Sequence, residues 1–300
     1  MSATVTHAPP PALPGSRPGA AAPGPKPRLV IRPSSGWRLI DLRELARYWD
    51  LLWFLALRDI QLRYKQTLFG VAWAVLQPVA NMAVLAVFFG YFCGLNQKTD
   101  AAVPYSLFAL CALLPWQLFS ATVTQASTSL VGNRALITKV YFPRALVPLA
   151  PLLCNLLDFA IASAVLGVLM AVAGVAPGWE VVLLPGFLLL GVGAAVGLGL
   201  ALSALNALYH DVQYTLGLLI QVWMFATPVA YPSGVIPPPW RALLGLNPMA
   251  TVVEGFRWCL LGTAPPDGVM VGLSVAVTAL LLGGGLLFFR RLEPLFTDTV

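Results

Sequence analysis

The chain has 300 residues, 58% of them hydrophobic and only 10% charged, where soluble domains carry roughly 25% charged residues. That balance excludes a water-soluble globular protein and makes the bilayer the solvent. The net charge of +6 then reads as an asymmetry between loops on two sides of a membrane, not as a nucleic-acid footprint.

Residues 1–34 hold nine prolines among many Ala and Gly. Such a tail buries no core and is expected to be disordered. It has no apolar stretch of the signal-peptide kind, so no cleavage is expected. Next comes DLRELARYWDLLWFLALRDIQLRYKQT, residues 41–67. Asp41 and Glu44 resemble a capping box, and Leu42, Leu45, Trp49, Leu52, Trp53, Ala56 and Ile60 recur at helical spacing. Arg43, Arg47, Arg58, Arg63 and Lys65 occupy the rest of the surface. The pattern predicts an amphipathic helix lying on the membrane surface, because its apolar core LLWFLAL is too short to cross.

Six spans follow, at about 69–95, 105–131, 145–175, 181–208, 212–230 and 269–289, each near or above the roughly 20 residues a crossing needs. The second span is broken by Pro115. Its SATVTQASTS half, with Gln117, Ser120, Thr124, Ser127 and Thr128, either lines an interior face or bonds neighbouring helices. The fourth carries Gly193-x-x-x-Gly197, a small-residue contact motif. Between the fifth and sixth spans the apolar pieces are short and interrupted by Asn247-Pro248, Glu254 and Arg257. That suits a re-entrant outer segment better than a span, with Glu254 and Arg257 placed to pair at i,i+3.

Charge fixes the orientation. Of the 18 Lys and Arg, fifteen fall before the first span, in the 132–144 loop or after the last span. The other side receives Lys98, Arg241 and Arg257. By the positive-inside rule both termini are cytoplasmic. The predicted organisation is a tail at 1–34, an interface-helix region at 35–67, a permease domain at 68–291 and a cytoplasmic end at 292–300. The fold class is an all-α integral membrane protein with six transmembrane helices. The basic loop NRALITKVYFPRALVP carries Arg134, Lys139 and Arg144 with Ile137, Val140, Tyr141 and Phe142. It is either a surface for a partner protein or a topology anchor.

Several chemistries are missing. There is no GxxxxGK[ST], so the chain has no P-loop of its own. Outside the tail, His210 is the only candidate base, which leaves no Ser–His–Asp set. His210 and His7 make no metal site. The cysteines Cys93, Cys111, Cys154 and Cys259 lack metal spacing and read as small buried hydrophobes. Inside the spans the only ionisable residue is Asp158, on the same side of the third span as Asn155. It either bonds a neighbouring helix or contacts a transport path. A lone carboxylate disfavours a proton-coupled carrier. A membrane-embedded transferase would need clustered polar catalytic residues, and none stand out.

In chain order, LALRDIQLRYKQTLFGVAWAVLQP, LLPWQLFS, NRALITKVYFPRALVP, ALYHDV, TPVAYP and LNPMATVVEGFRWCLLG resemble segments of the type-two ABC exporter permeases for polysaccharides, the group that exports O-antigen and teichoic-acid chains. The resemblance covers about residues 48–291. His210 departs from it, since Arg is commoner there, and so does the proline-rich tail. It implies a non-catalytic permease subunit of the bacterial cytoplasmic membrane that binds no cofactor, with ATP and Mg held by a separate ABC ATPase subunit. It also implies a second copy pairing around a channel, a lipid-linked polysaccharide as cargo, membrane lipid around the chain and no nucleic acid. Arg134, Lys139, Tyr141, Phe142, Pro143 and Arg144 fall in its ATPase-coupling loop, with Tyr209, His210 and Asp211 as a second contact. Trp73, Trp116, Phe119 and Trp223 are candidate path-lining rings, against ordinary packing aromatics. An ABC permease for a lipid or drug is the alternative.

Overall fold

The computed structural model describes residues 47–65, 70, 72–94, 103–139, 142–237, 240 and 242–299. The predicted tail, the pair Asp41 and Glu44, Lys98 and Tyr141 lie outside the described residues. Among the described residues every regular element is a helix. That is one of the two ways a backbone satisfies its polar groups inside lipid.

Helix α1 is Trp49–Lys65. Helix α2, Ala72–Leu85, continues into a π-helical turn at Ala86–Phe92. Helices α3, Tyr105–Gly132, and α5, Leu146–Val172, flank the short α4, Arg134–Lys139. A 3-10 turn at Trp179–Leu183 leads into α6, Leu184–Leu208, whose second residue is proline, a position that loses no hydrogen bond. Then come α7, Val212–Ala226, α8, Pro248–Leu261, and α9, Gly268–Thr299. Five segments are long and apolar enough to cross a bilayer: Ala72–Phe92, Tyr105–Gly132, Leu146–Val172, Trp179–Leu208 and Gly268–Leu295. The chain is a multi-pass membrane protein.

Two elements differ from expectation. The span predicted at 212–230 is the 15-residue α7, shorter than a crossing of its own. Thr227 is extended at φ −97° and ψ 136°, because the Pro228 ring disfavours helical geometry in the residue before it. At the other extreme, α9 runs on to Thr299, past the predicted end of the last span.

Helix α3 is the axis of the bundle. It is buried along most of its length and packs against α2, α5, α6, α7 and α8. One end of the bundle carries α4, the α6–α7 turn and Arg290 and Arg291; we call it the basic end. The far end carries Tyr105 and Leu261. At the basic end Leu52 and Leu55 of α1 join Leu130, Phe142, Leu146, Ala204 and Phe289 in a cluster.

Helix α1 is held to α3 at two levels. Arg58 donates to Asn133 Oδ1 at 2.7 Å, whereas Arg63 donates to Gln125 Oε1 at 2.8 Å. Eight residues along α3 are about 12 Å of its axis, so α1 climbs from the basic end along α3 and α5.

Helices α6 and α9 make the most extensive contact in the bundle. Gly197 supplies one side, as its motif predicted, and Gly285 the other. A Cβ built on Gly285 would collide with the Gly197 carbonyl oxygen, while one on Gly283 would meet nothing within 4 Å. In lipid such small residues replace hydrophobic driving force with close backbone packing. Gly285→Ala is expected to destabilise the detergent-solubilised protein by about 1–3 kcal/mol, the usual cost of overpacking. Gly283→Ala should leave the thermal unfolding midpoint unchanged. Parallel melting curves of the two variants check this.

Candidate functional site

A cavity of about 560 Å³ opens between α1, α2, α3, α5 and α7. Its polar wall comes from Gln117, Ser120, Thr124 and Gln125 of α3, facing Gln77 of α2, Asn155 and Asp158 of α5, and Arg63 and Tyr64 of α1. Trp73, 46% exposed, contributes a ring to the same wall.

Asp158 organises one side. Its Oδ2 accepts from Arg63 and its Oδ1 from the Tyr64 hydroxyl, so two consecutive residues of α1 grip one carboxylate. The Arg63 guanidinium also donates to Asn155 Oδ1 at 3.2 Å and to Gln125 Oε1 at 2.8 Å. Asn155 passes a bond on to Thr122 Oγ1 at 3.2 Å. Burial, and then the Asp158 carboxylate beside it, push the Tyr64 phenol above its ordinary range, so it stays a donor. Of the hydroxyl-rich stretch, Ser120 and Thr124 line the cavity, while Ser127 turns back to the Thr124 carbonyl at 2.7 Å. Behind Leu114 and Phe159, which belong to both walls, lies a second cavity of about 440 Å³ lined almost wholly by apolar residues, Leu166, Met170 and Leu260 among them.

At the far end α7 gives way to turns and bends over 227–231, whose carbonyls need donors from elsewhere in the fold besides the local bond from the Val229 N–H to the Thr227 carbonyl at 2.6 Å. Arg257 of α8, 3% exposed, supplies the donors. It donates to the carbonyls of Pro228 at 2.6 Å, Val229 at 2.7 Å, Phe108 at 3.3 Å and Tyr231 at 3.4 Å. Its Cζ lies 3.5 Å from the Phe108 ring centroid, a cation–π contact. Asn247 caps α8, accepting from the Met249 N–H at 3.1 Å, with Pro248 in the first turn and Gly262 at φ +68° closing the helix. Its amide also donates to Thr227 Oγ1 at 2.9 Å, tying the start of α8 to the end of α7.

At the basic end Arg134 and Lys139 are exposed on α4. Tyr209, His210 and Asp211 are exposed in the α6–α7 turn. Asn206, just before that turn, donates to the Ser127 carbonyl at 3.0 Å and accepts from the Gln213 N–H at 3.2 Å. Arg144 donates to the Glu293 carbonyl at 3.2 Å, joining the loop to α9.

A family model for the ABC-2 type transporter matches residues 50–261, more than two thirds of the chain. The chain belongs to the ABC-2 type transporter family. It is 29% identical over 261 residues to the O-antigen export system permease protein RfbA of Myxococcus xanthus, covering 86% of this chain and 98% of that protein. It is 28% identical to a Klebsiella pneumoniae RfbA of the same description, over 85% and 96%. The polysialic acid transport protein KpsM of Escherichia coli is 25% identical over 80% of this chain and 92% of that protein.

Within this ABC-2 chain the predicted residues separate. Asn155, Asp158 and Trp73 meet at the polar cavity. Trp116 and Phe119, 3% and 2% exposed, are core rings instead; Phe119 stands edge-on to Trp223 at 5.3 Å. Phe142, read as a partner contact, is buried against α1 and α5 of its own chain, because an aromatic beside Leu52 and Leu146 loses more water there. Pro143 stays half-buried beside it. The Arg257 guanidinium donates to the backbone carbonyls of Phe108, Pro228, Val229 and Tyr231, and the Glu254 carboxylate acts on it through its charge. Sequence reasoning placed Arg63 on the polar face of a surface helix and did not single out Tyr64; nothing local in the sequence marks their contact with Asp158.

Arg257→Leu would leave four carbonyls without this donor at about 1–3 kcal/mol each. It is expected to abolish the monodisperse peak in size-exclusion chromatography. Arg257→Lys keeps the charge without the planar fork and should retain a peak with a lowered melting temperature.

Proposed function

We propose that this chain is the permease subunit of an ATP-driven exporter that moves a polysaccharide outward across the bacterial cytoplasmic membrane. The observation that carries the reading is the near full-length similarity to O-antigen export permeases. The amide- and hydroxyl-lined cavity with the Trp73 ring supports it. Sugars offer hydroxyls to planar polar groups and C–H faces to aromatic rings, and a wall of many weak partners lets a chain slide. The apolar cavity sharing Leu114 and Phe159 favours a lipid-linked cargo of the O-antigen or teichoic-acid kind, with one compartment for each half of an amphiphile.

In this reading the chain performs no catalysis. A separate ABC ATPase subunit binds ATP and Mg and docks at the basic end on Arg134, Lys139 and Arg144, with Tyr209, His210 and Asp211 as a second contact. Both termini are cytoplasmic. Helix α7 with the non-helical 227–231 segment makes the sixth crossing. Residues 242–261 form a re-entrant outer segment: α8 begins beside Gly191, inside α6, and its Gly255 lies against Phe187 near the start of α6. Two copies pair to complete the channel.

The test is co-expression with the ATPase subunit, followed by affinity purification and display of glycan at the cell surface. The ATPase is expected to co-purify. Arg134→Glu with Lys139→Glu should reduce the recovered ATPase about tenfold, because charge reversal at a rim weakens docking. Surface glycan that persists in cells lacking the chain would overturn the proposal.

A further inference from the structure

The two grips of α1 connect the basic loop to the cavity wall. Arg58 holds Asn133 Oδ1 at 2.7 Å. Asn133 ends α3, where its side chain donates to the Ser129 carbonyl at 2.9 Å, and starts α4, where its carbonyl accepts from Leu136 and Ile137. Five residues on, about 7.5 Å along the helix, Arg63 and Tyr64 hold Asp158. The buried residues of α1 are Leu52, Leu55 and Ala56, all before Arg58. Beyond Arg58 the helix buries no residue, and Leu62 is 57% exposed. Polar contacts to Asp158, Asn155 and Gln125 therefore take the place of apolar packing at the tip of α1. That tip lies eight positions before Trp73, on the same cavity.

A carboxylate amid apolar helix costs insertion free energy, and structural anchoring of α1 could be achieved by a Leu at 158 as at 52 and 55. An ionic grip differs from an apolar one in that it can be released into a polar cavity without exposing hydrocarbon. We infer that α1 is a strut with two polar grips, Arg58 on Asn133 and Arg63–Tyr64 on Asp158, and that Asp158 is the positioning residue through which movement of the basic loop reaches the cavity wall. The inference rests on the permease reading.

The experiment uses the chain and its ATPase subunit in proteoliposomes, with ATP hydrolysis and glycan translocation measured together. Asp158→Asn should lower translocation about tenfold, the scale of an ordinary coupling between sites, with hydrolysis kept within about twofold. Asn133→Ala, at the other grip, should uncouple to a similar degree, and the double variant should be no worse than either single one. The exchange Arg63→Asp with Asp158→Arg should recover translocation. Wild-type coupling with unaffected single variants, or additive losses in the double variant, would overturn the inference. Hydrolysis and translocation falling together would do so as well, since a structural role predicts that. If the wild-type chain recovers no ATPase, the permease reading itself fails, an outcome distinct from these.

Discussion

Asp158 sets the terms for the rest of the site. A carboxylate twelve residues into an apolar helix has few polar neighbours on its own helix, so donors are brought to it by the fold. The chain brings them from the tip of α1. Once Arg63 is drawn in, its remaining donors need acceptors, and Gln125 and Asn155 provide them. The contacts around Asp158 thus tie α1, α3 and α5 together on one wall of the polar cavity.

The far end obeys the same rule with the charges exchanged. Pro228 ends α7 and is followed by turns and bends, in which the carbonyls of Pro228, Val229 and Tyr231 face Arg257. Arg257 meets them with a planar fork and rests on Phe108. Several carbonyl dipoles converge on the cation, and the Glu254 carboxylate adds its charge. Both sites place a charge only where non-helical backbone or a cavity requires one. This explains how a chain with 10% charged residues still builds two ionic centres in its core.

The crossings were legible because hydropathy over 20 residues is a strong signal, and four of the long apolar helices fall within a few residues of the predicted bounds. The shortening of α7 was also legible in Thr227-Pro228, a dipeptide that disfavours helix, but length outweighed it. Gly197 announced itself through Gly193-x-x-x-Gly197, whereas its partner Gly285 sat in a glycine run without a motif. Asp158 was visible as an anomaly, yet its partners lie 94 and 95 positions away, and nothing local marks a contact at that distance. Arg257 was legible only in part. Spacing offered Glu254, while its hydrogen-bond acceptors include backbone carbonyls, which no residue type advertises. Phe142 shows the remaining limit: an aromatic in a basic loop looks the same whether it faces a partner or its own core.

The glycan path proposed for this permease is the cavity beside Asp158. Its most direct test is the reaction of Thr124→Cys, in a chain otherwise free of cysteine, with a membrane-impermeant thiol reagent in vesicles carrying the ATPase subunit. The predicted result is labelling from the basic side that slows when glycan engages and recovers as ATP clears it. Labelling absent in every state, or indifferent to glycan and ATP alike, would contradict it.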